Sequence, residues 1–252
     1  AAHELNPELE ARYAANRLTV VRQVHTKTGA IPDMVLAVNG LPVATLELKN
    51  AMSATGWTVE NAKHQYRFER NPKDPLFAFK NRCLVHFAVD TEQAFMTTHL
   101  KGKDTFFLPF NRGFNHGAGN PPVEGDVRTA YLWKEVLERD SLMDILASFL
   151  HLQVEEKTVV TEKGIKRHRK ETLIFPRYHQ LDAVRSLTQH AKAKGSGHNY
   201  LIQHSAGSGK SNSIAWLAHR LSSLHDANNE KVFHSVVVIT DRRVLDQQLQ
   251  NT

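Results

Sequence analysis

From residue 17 to about residue 98 the chain is a series of short apolar or alternating runs broken by turn residues: RLTVVRQVH, DMVLAV, PVATLELK, CLVHFAVD and TEQAFMTT. Each has the length and the β-branched or aromatic content of a strand. Between the third and fourth lies WTVENAKHQYRFER, where Val59, Ala62 and Tyr66 recur among spaced charges, a pattern that predicts an amphipathic helix. Strands with one interposed helix predict a mixed α/β layer fold. Residues 101–125, which include LPFNRGFNHGAGNPP, are dense in Gly, Asn and Pro and read as a long surface loop. YLWKEVL and RDSLMDILASFLHL read as helices, the second capped by Asp140 or Ser141.

The second half has a different texture. Residues 152–172 are polar and charged, with a basic core KGIKRHRK, and read as a linker with room for a short hairpin. That core is either a solvated loop or a segment that touches phosphates. YHQLDAVRSLTQHAKA has a helical pattern, NYLIQH is a short buried strand, SAGSGKS a glycine-rich turn, NSIAWLAHRLSSLH a helix and KVFHSVVVIT a β-branched strand. The last four elements make one βαβ unit, the building block of a parallel sheet. The expected division is therefore a first domain over 1–151, a charged linker over 152–172, and the beginning of a second domain over 173–252.

Composition narrows the functional classes. The chain of 252 residues is 41% hydrophobic and 23% charged, as a globular protein is. No apolar run approaches the ~18 residues that would span a bilayer, and the N-terminus has no signal-peptide layout. A single cysteine, Cys83, forms no internal disulfide, so a stapled secreted scaffold is excluded and a cytoplasmic location is expected. Cys83 lies in the apolar run CLVHFAV, where a buried inert thiol is expected. The net charge of +6 suits a polyanionic partner without demanding one. The 15 histidines show no zinc-type spacing.

Gly207-Ser208-Gly209-Lys210-Ser211, between a strand and a long helix, carries the sharpest local chemistry. Glycines let successive N–H groups curl into an anion nest, and the helix N-terminus adds positive potential. The lysine reaches the outer phosphates and the serine hydroxyl ligates Mg²⁺. The leading glycine of the full phosphate-loop pattern is replaced by His204. No DEAD-like or DExH-like acid cluster follows the loop, so the chain is expected to bind ATP phosphates without hydrolysing ATP competently by itself.

A second constellation is Ile31-Pro32-Asp33 followed by Glu47-Leu48-Lys49. Two carboxylates and a lysine in this order suit metal-dependent phosphodiester hydrolysis. The acids hold Mg²⁺, which activates water, and the ammonium stabilises developing negative charge. The same residues also fit an exposed charge pair and an ordinary turn aspartate. On a strand Glu47 and Lys49 share one face, with Leu46 and Leu48 on the other. Asn39-Gly40 is a hairpin turn signal. A plain two-residue turn would set Asp33 opposite Leu46. A three-residue turn, or a bulge at Gly40, would set it opposite Glu47, and only that register lets both acids share a metal.

Taken together these motifs resemble the restriction (R) subunit of Type I restriction–modification enzymes. The blocks that carry the likeness include NPELEARYAANRLTVVRQVH, NGLPVATLELKN, HFAVDTEQAFMTT, FLPFNRG, GAGNPP, IFPRYHQLDAV and LIQHSAGSGKSNSIAWLAHRL. The resemblance implies a restriction-endonuclease-like mixed sheet with flanking helices, a PD-(D/E)xK nuclease. The beginning of a RecA-like parallel α/β motor domain follows it. It implies Asp33, Glu47 and Lys49 as the nuclease acids and lysine, with Gln65 in the following helix as a fourth site residue or else a plain surface glutamine. Some relatives carry a tyrosine four residues beyond that glutamine. Here Glu69 stands there, and Tyr66 follows Gln65 directly. It further implies that Gly207, Ser208, Gly209, Lys210 and Ser211 grip ATP phosphates and Mg²⁺. Gln180 would contact the adenine unless it is a helix-surface residue. Thr240-Asp241-Arg242-Arg243 matches a further motor motif or a strand-end cap. R subunits are several times longer, so the chain reads as an N-terminal fragment.

The reading is thus a Mg²⁺-dependent nuclease joined to the start of an ATP-dependent translocase of double-stranded DNA. Modification and specificity subunits would be its partners, and no membrane is involved. The alternative is a helicase or translocase whose N-terminal domain only binds DNA or docks partners. A third reading, a retained scaffold, expects Asp33 and Glu47 to point apart or to be tied up in salt bridges.

Overall fold

A computed structural model describes residues 6–54, 56–161 and 164–239. Contacts divide the chain into two units, Ala1–Leu152 with Lys170–Phe175 and Gln153–Arg169 with Pro176–Thr252.

The first unit opens with α1 (Pro7–Ala14), which Asn6 caps by accepting the Leu9 N–H. A six-stranded sheet follows in chain order: β1 (Leu18–Arg22), β2 (Met34–Val38), β3 (Leu41–Leu48), β4 (Val85–Val89), β5 (Ala94–Thr97) and β6 (Leu108–Pro109). Only β3 and β4 are parallel, and the crossover between them carries α2 (Val59–His64) and a π-helical turn at Gln65–Glu69. The predicted strands and the interposed helix are all present. β6 lies inside the stretch expected to be loop, and its Pro109 fits a short terminal strand.

All five residues of β4 are buried, as befits a strand with neighbours on both sides and cover on both faces. One face meets Val59, Ala62, Tyr66, Phe77 and Leu100. On the other, Phe87 meets Phe110 and Phe175 edge-on, at centroid distances of 5.3 and 5.9 Å. Leu142 and Ile145 of α3 (Arg139–Ser148) are buried at helical spacing. The cap of α3 is Glu138, not Asp140 or Ser141. Glu138 is extended, so its Oε2 reaches the N–H groups of both predicted cap residues, at 3.0 and 3.3 Å. YLWKEVL forms a π-helical turn at Leu132–Val136. Cys83 is buried and its thiol is pushed up to about 12 by desolvation, which keeps it unreactive.

His86 of β4 lies wholly inside, hydrogen-bonded through Nδ1 to Thr45 Oγ1 at 2.7 Å, and Thr45 also pairs with the Tyr66 hydroxyl at 2.8 Å. Burial, with a smaller contribution from His99, lowers its pKa from 6.5 to about 3. The unfolded chain binds a proton below 6.5 that the folded chain refuses until about 3, so this stability is full above 6.5 and lost as pH falls through that window. Urea unfolding of His86→Gln at several pH values is expected to show a shallower loss between those limits than the wild type. Equal slopes would contradict it.

Residues 152–172, expected as a linker, lie largely in a two-stranded sheet of β7 (His151–Thr161) and β8 (Gly164–Ile174).

The second unit contains α4 (Tyr178–Lys194) and α5 (Lys210–Ser222), packed together with Leu181, Val184, Ala215 and Trp216 buried. The predicted βαβ unit is not formed among the described residues. NYLIQH and the described part of KVFHSVVVIT are not strands, and Leu201 and Ile239 are 93% and 90% exposed. A strand exists only through pairing with neighbours, and two short runs flanking one helix supply too little sheet to cover their faces. Thr240-Asp241-Arg242-Arg243 lies outside the described residues. No helix among the described residues is long and apolar enough to cross a membrane.

Candidate active site and nucleotide loop

The β2–β3 hairpin turns at Asn39 and Gly40, both at positive φ (52° and 81°), as a two-residue hairpin turn requires. Val38 faces Leu41 and Ala37 faces Pro42, but Leu36 then faces Ala44. Val43 is the extra residue of a bulge. The turn has two residues rather than three, and the bulge lies not at Gly40 but three residues beyond it. Pro42 explains its place, because a proline cannot donate to the ladder. The Val43 carbonyl, thrown out of the β2 register, accepts the Leu84 N–H at 2.8 Å. Beyond the bulge Met34 faces Leu46, so Asp33 comes opposite Glu47.

Asp33 Oδ2 accepts the Leu48 N–H at 2.7 Å and lies 3.5 Å from the Lys49 ammonium, which also donates to the Leu48 carbonyl. Glu47 is entirely buried. Its Oε1 accepts from Arg70 Nε at 2.6 Å, and its Oε2 has no hydrogen-bond partner. Desolvation pushes the Glu47 carboxyl up to about 7. Arg70 opposes that shift, and Asp33 reinforces it by charge repulsion. The acids therefore face each other, and the salt bridge on Glu47 occupies one oxygen only.

Arg70 was not foreseen from the sequence. It terminates QYRFER, where a basic residue after the helix is unremarkable. Its N–H donates to the Gln65 carbonyl at 3.1 Å, closing the π-helical turn, while Nη2 donates to the Ile31 carbonyl at 3.2 Å. Gln65 begins that turn, and its Oε1 is buried without a partner. Tyr66 does not stand in for the distal tyrosine. It is fully buried, and its hydroxyl pairs with Thr45 and donates to the Phe87 carbonyl. Glu69 is half exposed beside His64 and Arg70.

Among the described residues no three His, Cys, Asp or Glu side chains cluster as a metal cage. Two facing carboxylates, one with an unpaired buried oxygen, fit Mg²⁺, which keeps several waters and takes only one or two protein carboxylates. A zinc cage would need more.

In the second unit Gly209, at φ 81°, caps α5, which starts at Lys210, and Ser211 is in its first turn. Three side chains at the start of α4 hold successive carbonyls of the loop: Arg177 Nη2 that of Gly207 at 2.9 Å, His179 Nε2 that of Ser208 at 3.0 Å, and Gln180 Nε2 that of Gly209 at 2.8 Å. In trans peptides N–H and C=O point oppositely, so the N–H groups of Gly209 and Lys210 turn away from α4, as an anion nest needs. The Lys210 ammonium is folded onto the carbonyls of His204 and Ser205. The Ser208 Oγ is buried without a partner. Gln180 also accepts the Arg177 N–H through Oε1, so its amide braces the loop. A Cβ on Gly209 would lie 2.5 Å from the buried Gln180 Nε2. Gly209→Ala is therefore expected to weaken binding of a fluorescent ATP analogue about tenfold, since a positive φ alone costs an alanine ~1–2 kcal/mol. Unchanged affinity would contradict the clasp.

Two families match parts of the chain. Residues 10–105 match the family described as Type I restriction enzyme R protein N terminus. Residues 179–252 match the SWI2/SNF2 ATPase family. The chain is 27% identical over 227 residues to the putative type I restriction enzyme MjaVIIIP endonuclease subunit of Methanocaldococcus jannaschii, covering 88% of this chain and 19% of that protein. It is 24% identical over 245 residues to the type I restriction enzyme HindI endonuclease subunit of Haemophilus influenzae, covering 94% of this chain and 21% of that protein. The chain spans about a fifth of the length of these relatives. Residues 10–105 thus align with the N-terminal part of the R proteins of Type I restriction enzymes, and the chain as a whole is similar to two of their endonuclease subunits.

Proposed function

We propose that the first unit hydrolyses DNA phosphodiester bonds with Mg²⁺ and that the second grips ATP at the start of a DNA-translocating motor. The register that sets Asp33 opposite Glu47, with one Glu47 oxygen buried and unpartnered, carries this reading. Asp33 and Glu47 would hold the cation, which when bound supplies positive charge to the scissile phosphate and acidity to a coordinated water. Arg70 holds the Glu47 carboxylate in one orientation and favours its ionised form. Lys49 lies beside Asp33, where its ammonium can meet a phosphate oxygen and the negative charge that grows there. Gly207 to Ser211 would take the ATP phosphates, with Ser211 on the nucleotide's Mg²⁺ and Gln180 bracing the loop. Double-stranded DNA and the modification and specificity subunits are the partners of the complete enzyme. The basic excess of the chain suits backbone contacts that salt weakens.

The test uses the full R protein with its partner subunits, DNA, Mg²⁺ and ATP. Asp33→Ala is expected to lose cutting and keep ATP hydrolysis, and Lys210→Ala to lose both. Cutting by Asp33→Ala at the wild-type rate would leave the first unit as a DNA-binding or docking module.

A further inference from the structure

The Lys49 side chain is only 7% exposed, yet its ammonium has few close partners among the described residues. It donates to the Leu48 carbonyl at 3.1 Å, and Asp33 Oδ2, which already accepts the Leu48 N–H, stands 3.5 Å away. Were Asp33 to share its charge with a divalent cation, its pull on the ammonium would weaken. A buried ammonium then needs another hold.

The face of the Trp57 indole supplies one. Lys49 Nζ lies over that ring, 5.7 Å from its centroid and within reach of a cation–π contact. Hydrogen bonds at three chain ends fix the ring there. The Lys49 N–H donates to the Val89 carbonyl at 2.8 Å, joining the end of β3 to the end of β4. One residue on, Asp90 Oδ2 accepts the N–H of Val59, the first residue of α2, at 2.7 Å. Asn61 Oδ1 accepts the Thr58 N–H at 2.9 Å and ties down the start of the helix. Trp57 directly precedes Thr58, so the same ties that join β3, β4 and α2 set its ring against Lys49. A second carboxylate in that place would cancel the ammonium's charge and compete with phosphate for it. An aromatic face attracts the cation through its quadrupole and carries no net charge. We propose that Trp57 is a positioning residue of the nuclease, whose indole face holds the Lys49 ammonium beside Asp33 and leaves its charge for the scissile phosphate. The ring acts only through Lys49. This rests on the nuclease reading of Asp33, Glu47 and Lys49.

The test uses the complete R protein with its partner subunits, DNA, Mg²⁺ and ATP, and replaces Trp57 alone by mono-, di- and tetrafluorotryptophan. Fluorine draws electron density from the ring face at nearly constant shape, so it weakens the hold on a cation and leaves apolar cover in place. Cutting is expected to fall stepwise with fluorine content, roughly tenfold for the tetrafluoro ring, the scale of a desolvated cation–π contact. Trp57→Leu is expected to fall at least as far, and Trp57→Phe, which keeps a weaker face, less far. Equal cutting across the fluorinated series overturns the proposal even if Trp57→Leu cuts slowly, because the ring is then cover alone. Wild-type cutting by Lys49→Met would instead overturn the nuclease reading beneath it, so the two failures are distinct.

Discussion

In the complete enzyme Glu47→Gln is expected to cut DNA about 10³-fold more slowly than wild type, because a metal contributes several kcal/mol of transition-state stabilisation and each ~1.4 kcal/mol is tenfold in rate. The substitution keeps shape and leaves Oε1 as an acceptor for Arg70, so folding is preserved while the charge that would bind the cation is removed. It also takes one charge from a buried ion pair, so a loss of stability smaller than that of Arg70→Ala is expected, because the Oε1 hydrogen bond to Arg70 is kept. Matched thermal melts and cleavage rates check both halves. A variant already unfolded at the temperature of the cleavage assay would point to a structural role for Glu47.

Arg70→Ala is expected to destabilise the chain by about 3–5 kcal/mol, the range for removing one partner of a buried ion pair. Glu47 is fully buried, Arg70 is 8% exposed, and their contact is 2.6 Å long. Removing the guanidinium also frees the Ile31 carbonyl, two residues before Asp33. The pairing has a clean control. Glu47→Gln with Arg70→Met removes both charges at similar volume, and is expected to recover most of the stability lost by Arg70→Ala. Urea unfolding of the three variants and wild type measures it. If Arg70→Ala costs less than about 1 kcal/mol, the range of an exposed pair, the contact contributes little and Arg70 is not what holds Glu47.

Much of the first unit was legible because its strands are short, β-branched and separated by turn residues. The Glu47 register was legible too, since parity alone decides whether Asp33 meets Glu47 or Leu46. Parity calls for one extra residue, in a three-residue turn or in a bulge at Gly40, but it does not place that residue, and Pro42, which withholds a ladder hydrogen bond, puts it at Val43. Arg70 was invisible because its role depends on a π-helical turn, which leaves no periodic trace in QYRFER. Gln180 was read through its likeness to an adenine contact, and the structure has its amide holding the Gly209 carbonyl. The strands expected at NYLIQH and KVFHSVVVIT had the right composition. Composition states what a segment can bury, while a strand also needs partners that no local pattern records.

In the proposed mechanism Asp33 and Glu47 hold one divalent cation between them. Mn²⁺ binding to the chain, followed by calorimetry and by the paramagnetic signal of the free ion without nucleotide, tests it most directly. One site is expected in the wild type, lost in both Asp33→Asn and Glu47→Gln and kept in Lys210→Ala. Binding that survives both carboxylate substitutions would contradict the account.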